Sequence, residues 1–127
     1  MSSWTPVNAP DVDPFPVFSH AAVAGDTIYV SGMLGLDDAG DGLVEGGVGP
    51  ETTQAFRLVG RILAACDASI ADIVKVSVFM PDLGEWEAMN AAYLEVFGEQ
   101  PPARIAIGCA SLLFGARVEF DCVAYSP

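Results

Sequence analysis

Two charged residues stand where strands ought to begin or run: Arg104, behind Pro101, Pro102 and Ala103 at the head of RIAIG, and Glu119, inside ARVEFDCVA. A guanidinium presents a planar fork of N–H donors that matches a carboxylate, and a carboxylate on a strand can accept a proton. Asn90 is a third polar outlier, on an otherwise apolar helical face, where it needs either a backbone partner or a ligand. The single histidine, His20, excludes most His-based metal sites and leaves any triad resting on one residue, so acid and base chemistry falls mainly to carboxylates. Cys66, Cys109 and Cys122 are odd in number and widely spaced, which fits neither a disulfide framework nor a C-x-x-C motif. They read as reduced, mostly buried thiols. No G-x-S-x-G, P-loop or G-x-G-x-x-G motif occurs.

Seventeen acidic residues against five basic ones give a formal charge of -12. Neutralising phosphates takes clustered Lys and Arg, and here the basic residues are scattered, so nucleic acid is not an expected partner. No apolar run approaches the roughly 20 residues that span a bilayer, and MSSWTPVNAP lacks a basic stretch followed by an apolar core. The expectation is a cytoplasmic protein without membrane contact. At 127 residues the chain is expected to form a single domain, residues 1–127, with an ordinary core.

The elements that must position Arg104, Asn90 and Glu119 follow from periodicity. Residues 1–16 carry Pro6, Pro10, Pro14 and Pro16, which predicts an extended, Pro-rich segment with little ladder hydrogen bonding and an ordered fold starting near Val17. Strands near 17–24 and 27–33 flank Gly25-Asp26 as a hairpin. Residues 37–49 hold five glycines and four acidic residues, a composition suited to a mobile loop and lacking the ligand spacing of a calcium loop. Ala55, Phe56, Val59, Ile62, Leu63 and Cys66 mark one face of a helix near 51–66, opened by Pro50 and Glu51, with Arg57 and Arg61 off the stripe as solvated charges.

IVKVSVFM predicts a strand over 73–80 that Pro81 stops. In the next helix Trp86, Met89, Asn90, Tyr93, Val96 and Phe97 share a face, and Gly98 ends it. RIAIGCASL and ARVEFDCVAY predict two more strands around a turn at Phe114-Gly115. In the last strand Val118, Phe120 and Cys122 fall on one face and Arg117, Glu119, Asp121 and Val123 on the other. The order β-β-α-β-α-β-β, with two helices on one face of a mixed sheet, is an α+β domain.

VFSHA before a hairpin, VSG closing the second strand, ETTQAFRLVGRILAA, IADIVKVSVFMPDLGEW, MNAAYLEVFG, PPAR and VEFDCVA, in that order over residues 16–125, resemble the reactive intermediate deaminase family, also called the RidA or YjgF family. The resemblance implies a chorismate-mutase-like fold, a homotrimer, and small-molecule sites in clefts between subunits. It also implies hydrolytic deamination of 2-enamino and 2-imino acids of the 2-aminoacrylate type to 2-keto acids and ammonia, without metal or organic cofactor.

By the same resemblance Arg104 holds the substrate carboxylate and Glu119 places or activates the attacking water. Backbone groups at Ile105 and Ala106 hold the substrate nitrogen or the water, and Gly32 and Asn90 line or shape the cleft. Three positions depart from the commonest pattern: Phe18 in place of a tyrosine, Met33 in place of glutamine, and Ala106 in place of cysteine or threonine. The departures make the pocket more apolar and leave open a substrate with a larger side chain, or a non-catalytic trimer that binds a 2-keto or related carboxylate.

Overall fold

The computed structural model describes residues 3–127. Eight principal elements run in the order β1 (Thr5–Val7), β2 (Ala21–Ala24), β3 (Thr27–Met33), α1 (Val48–Ala64), β4 (Ile73–Met80), α2 (Trp86–Phe97), β5 (Ala103–Gly108) and β6 (Glu119–Tyr125). The strands form one sheet in the order β1-β2-β3-β6-β4-β5, with β4 and β5 parallel and the other neighbours antiparallel.

Both helices cover one face of this sheet. Ala55, Phe56, Val59, Ile62 and Leu63 of α1, and Met89 and Tyr93 of α2, close over Ile28, Val30, Val76, Val78, Met80, Phe120, Cys122 and Ala124. Phe56 sits at the centre, in contact with Tyr93, Phe97 and Phe120 at centroid separations of 4.6 to 5.8 Å. Helix α1 starts a turn earlier than expected, at Val48, because Pro50 has no N–H to leave unpaired in the first turn. Helix α2 ends as expected at Gly98, whose φ of 63° suits glycine.

The α+β architecture is the one expected, with a strand added at the front. Contrary to the expectation that order starts near Val17, Thr5–Val7 pairs with Ala21–Val23, and Ala9 and Val12 are buried. The first expected strand shrinks accordingly to Ala21–Ala24. Pro6 is tolerated because β1 is a sheet edge, where a missing donor on the free side costs nothing.

His20 anchors this N-terminal arm. It is fully buried: its Nδ1 accepts the Ala9 N–H at 3.0 Å, its Nε2 lies 2.9 Å from the Asp13 carbonyl, and its own N–H donates to Asn8 Oδ1.

The acidic loop after β3 is also tied down rather than loose. Leu36 and Leu43 bridge it, Asp37 N–H donates to Gly42 O, and Asp38 accepts from Gln54 and Arg61 of α1. Arg61 is therefore an ion-pair partner, of Asp38 at 3.1 Å and Asp11 at 3.8 Å, and not a free solvated charge. These contacts hold the Asp38 carboxyl below its ordinary value, the Gln54 hydrogen bond first and Arg61 second. Glu51, read as a helix-dipole partner, is buried, and its carboxylate accepts the Arg117 N–H at 2.8 Å, fastening α1 to the start of β6.

Replacing His20 with Ala leaves the Ala9 N–H and the Asp13 carbonyl without partners inside the protein. The expected cost is about 2–4 kcal/mol of unfolding free energy, measured by urea denaturation, with loss of amide exchange protection concentrated at residues 5–9.

Candidate functional site

Strand β5 carries Arg104 into the structure in register with Val76 of β4, which in turn faces Cys122 of β6. Val76 and Cys122 lie under the helices, so Arg104 and Ala106 project to the helix side, against α2. The Arg104 Nη1 donates to Asn90 Oδ1 at 2.8 Å and lies 3.9 Å from Met89 Sδ. The guanidinium carbon is 4.9 Å from the Trp86 ring centroid and 4.8 Å from that of Tyr93. Asn90, Tyr93, Leu94, Pro101, Pro102 and Arg104 line a cavity of about 380 Å³.

Among the described residues no carboxylate lies within 4.0 Å of Arg104, whereas Arg61 and Arg117 are both paired with acids. The rings and the Asn90 amide oxygen stabilise the charge without cancelling it. The Tyr93 hydroxyl is buried without a partner, and burial pushes it up to about 12, so it stays a neutral phenol. β5 is the other edge of the sheet, so backbone groups along Ile105 and Ala106 on its free side have no strand neighbour.

Glu119 stands in a different place. Its register partner is Phe79, and its neighbour Phe120 is buried under the helices, so Glu119 projects to the helix-free face. There it lies over Gly32, at an irregularity in the β3–β6 pairing between Val30 and Met33. A Cβ added at Gly32 would meet Glu119 Oε2 at 2.5 Å, so in this orientation the carboxylate uses the space that the missing side chain leaves. Burial first, and then the like charge of Asp121 two residues on, raises the Glu119 carboxyl above its ordinary value of 4.5. A raised carboxylate is a better proton acceptor once ionised.

Phe18 is half exposed, stacked on Phe15 at 4.9 Å, and with Trp4, Tyr29 and Ser31 lines a cavity of about 260 Å³. Ser31, next to Gly32, donates to the Ser19 carbonyl at 2.7 Å and so ties Phe18's segment to the Glu119 niche.

The expected residues thus fall into two groups. Arg104, Asn90 and Ala106 gather on the helix side of the β5 edge, and Glu119, Gly32 and the Phe18 segment gather on the open side of β3 and β6. Within one chain the sheet separates them. Trp86 and Tyr93 did not stand out from sequence as site residues. They lie with Asn90 on one helical stripe, but their meeting with Arg104 depends on the parallel β4–β5 register. Among the described residues no group of three or more His, Cys, Asp or Glu is placed to hold a metal ion, and no helix is long and apolar enough to cross a membrane. The cysteines are free thiols, Cys122 buried and Cys66 and Cys109 half-buried.

Residues 8–126 match the family model described as Endoribonuclease L-PSP. The chain belongs to this family. The 2-iminobutanoate/2-iminopropanoate deaminase of Capra hircus is 39% identical over 107 residues, which cover 84% of this chain and 78% of that protein. The protein of the same name from Homo sapiens is 36% identical over the same shares. Among solved structures, yeast Mmf1 superposes with a TM-score of 0.91 at 31% identity over 98% of this chain and 99% of its own. RidA from an Antarctic Psychrobacter bacterium does so with a TM-score of 0.86 at 30% identity, over 95% and 98%. The motifs that resemble the RidA family therefore sit on that family's α+β fold.

Followed by NMR, the Glu119 carboxyl is expected to titrate with a midpoint above 4.5, and Asp121→Asn is expected to lower that midpoint by removing the smaller of its two causes. Because the folded midpoint lies above the unfolded one, the stability linked to Glu119 is full below the unfolded value and is lost as pH rises through the raised midpoint.

Proposed function

We propose that this protein hydrolyses reactive 2-enamino and 2-imino acids to 2-keto acids and ammonia, with the substrate carboxylate held by Arg104 in a cleft between subunits. The observation that carries the reading is an arginine kept free of its own chain's carboxylates, in a chain with seventeen of them, beside a cavity. The names of the relatives at 36–39% identity support the same chemistry.

The reaction asks for few groups. The enamine takes a proton at its terminal carbon to become the imine, and water adds to C2 to give a carbinolamine. The nitrogen then leaves with a proton as ammonia, and the C2 oxygen becomes the keto group. Arg104 fixes the carboxylate, Glu119 takes the proton from the attacking water and returns it to the nitrogen, and edge groups at Ile105 and Ala106 bind the nitrogen or the water. No step requires electrons from outside, so no organic cofactor is called for.

The separation of Arg104 from Glu119 by the sheet favours assembly: Glu119 of one chain serves Arg104 of the next. Such an interface joins two different surfaces, and a heterologous contact forms a ring when its rotation closes, as a threefold rotation does. We infer a homotrimer of single-domain chains. The helix-free face, with Tyr29, Ile105 and Ile107 about half exposed, supplies apolar surface for it.

A second reading is favoured by Phe18 and Ala106, which carry no hydroxyl or thiol into the site: a trimer that binds a 2-keto or related carboxylate through Arg104 without turning it over. RNA cleavage has less behind it, since the net charge is -12 and Arg61 and Arg117 are held by acids of their own chain.

With 2-aminoacrylate and a larger imino acid generated in situ, the wild type is expected to accelerate keto acid and ammonia release. Arg104→Ala should lower kcat/KM by about a hundredfold or more, and Arg104→Lys should recover little of it, because an ammonium cannot reproduce the fork. Binding of 2-ketobutyrate by calorimetry with no turnover of either imine would transfer the assignment to the second reading.

A further inference from the structure

We propose that Trp86 and Tyr93 are positioning residues that hold the Arg104 guanidinium with its Nε–Nη2 edge free for the substrate carboxylate; this rests on the reading of Arg104 given above. The guanidinium has five N–H donors. Those seen in use belong to Nη1, which meets Asn90 Oδ1 at 2.8 Å and Met89 Sδ at 3.9 Å. Among the described residues Nη2 and Nε have no hydrogen-bond partner, and together they form the edge that pairs two parallel N–H groups with a carboxylate.

An arginine side chain left to itself samples many rotamers, and ordering it on binding opposes affinity. A carboxylate of the same chain would order it but would take the place of the substrate. Two ring centroids at 4.9 and 4.8 Å from the guanidinium carbon order it without using an in-plane donor. Each ring is itself held. Tyr93 packs against Phe56, Phe97 and Phe120, and Trp86 opens α2 directly after a turn fastened by Asp82 to the Gly84 N–H. The Tyr93 hydroxyl is buried without a partner, an unfavourable arrangement for a side chain placed only to fill the core. It is the Tyr93 ring face, and not this hydroxyl, that meets the guanidinium.

The clamp acts on the carboxylate anchor, which is made alike in the bound substrate and the transition state, so its loss reads in KM and spares kcat. Trp86 is the residue to change, because it is 40% exposed and its loss opens no core cavity. In the full-length protein Trp86→Leu is expected to raise KM for 2-aminoacrylate about three- to thirtyfold with kcat within about twofold, and Trp86→Phe is expected to return KM to within about threefold of wild type. The Arg104 Nε–H signal in NMR should move away from the ring-shifted position in Trp86→Leu and back towards it in Trp86→Phe.

An unchanged KM and an unmoved Arg104 signal in Trp86→Leu would overturn the proposal, as would a loss confined to kcat. If the wild type turns over no imino acid, the deaminase reading fails by itself. The clamp is then judged by the NMR signal and by the Kd for 2-ketobutyrate, with the same ratios expected between the variants.

Discussion

The positive charge of Arg104 is held without being neutralised, and the arrangement around it follows from that constraint. Of the four arginines, Arg61 and Arg117 pair with carboxylates and Arg57 meets the Gln54 amide oxygen on the exposed side of α1. Arg104 meets ring faces, an amide oxygen and a thioether sulfur instead. Pro101 and Pro102 stiffen the chain before β5 and keep the approach to the cavity free of competing N–H groups. Helix α2 contributes both the polar contact and the two rings because Trp86, Asn90 and Tyr93 recur at four and three residues on one face.

The second constraint is the alternation of side chains across the sheet. Arg104 shares its register row with Val76 and Cys122, and Glu119 shares its row with Phe79, three residues along β6 and therefore on the opposite face. Gly32 leaves room for the Glu119 carboxylate in this orientation, since a Cβ there would make Oε2 turn away. Within one chain, burial and Asp121 raise the Glu119 carboxyl, and no cation of the same chain lowers it again. One chain thus holds Arg104 on one side of its sheet and Glu119 on the other, and under the proposed function they form a single site only where two chains meet.

Much of this was legible in the sequence, for identifiable reasons. The 3.6-residue stripes of α1 and α2 and the alternation in 73–80 are local patterns, and they gave elements close to those observed. Gly25 and Gly98 marked a turn and a helix end because positive φ is needed at both. The N-terminal strand was hidden by its three-residue length and by Pro6, which only an edge strand accommodates. The roles of His20, Glu51 and Asp38 were hidden because their partners are distant in sequence and, for His20 and Glu51, are backbone groups. Arg104, Asn90 and Glu119 could be named from residue type and motif. Their division between two faces, and the rings against Arg104, required the strand order and register.

The measurement that tests the account most directly is subunit complementation. Arg104→Ala and Glu119→Gln chains, each strongly impaired alone at substrate concentrations below KM, are unfolded, mixed in equal amounts, refolded together and assayed at that same low substrate. If Arg104 and Glu119 meet only across subunits, a site is whole when an intact Arg104 from one chain faces an intact Glu119 from another. Random mixing then restores about a quarter of the wild-type imine hydrolysis. Mixed oligomers that form and remain as inactive as the two parents would contradict the shared site.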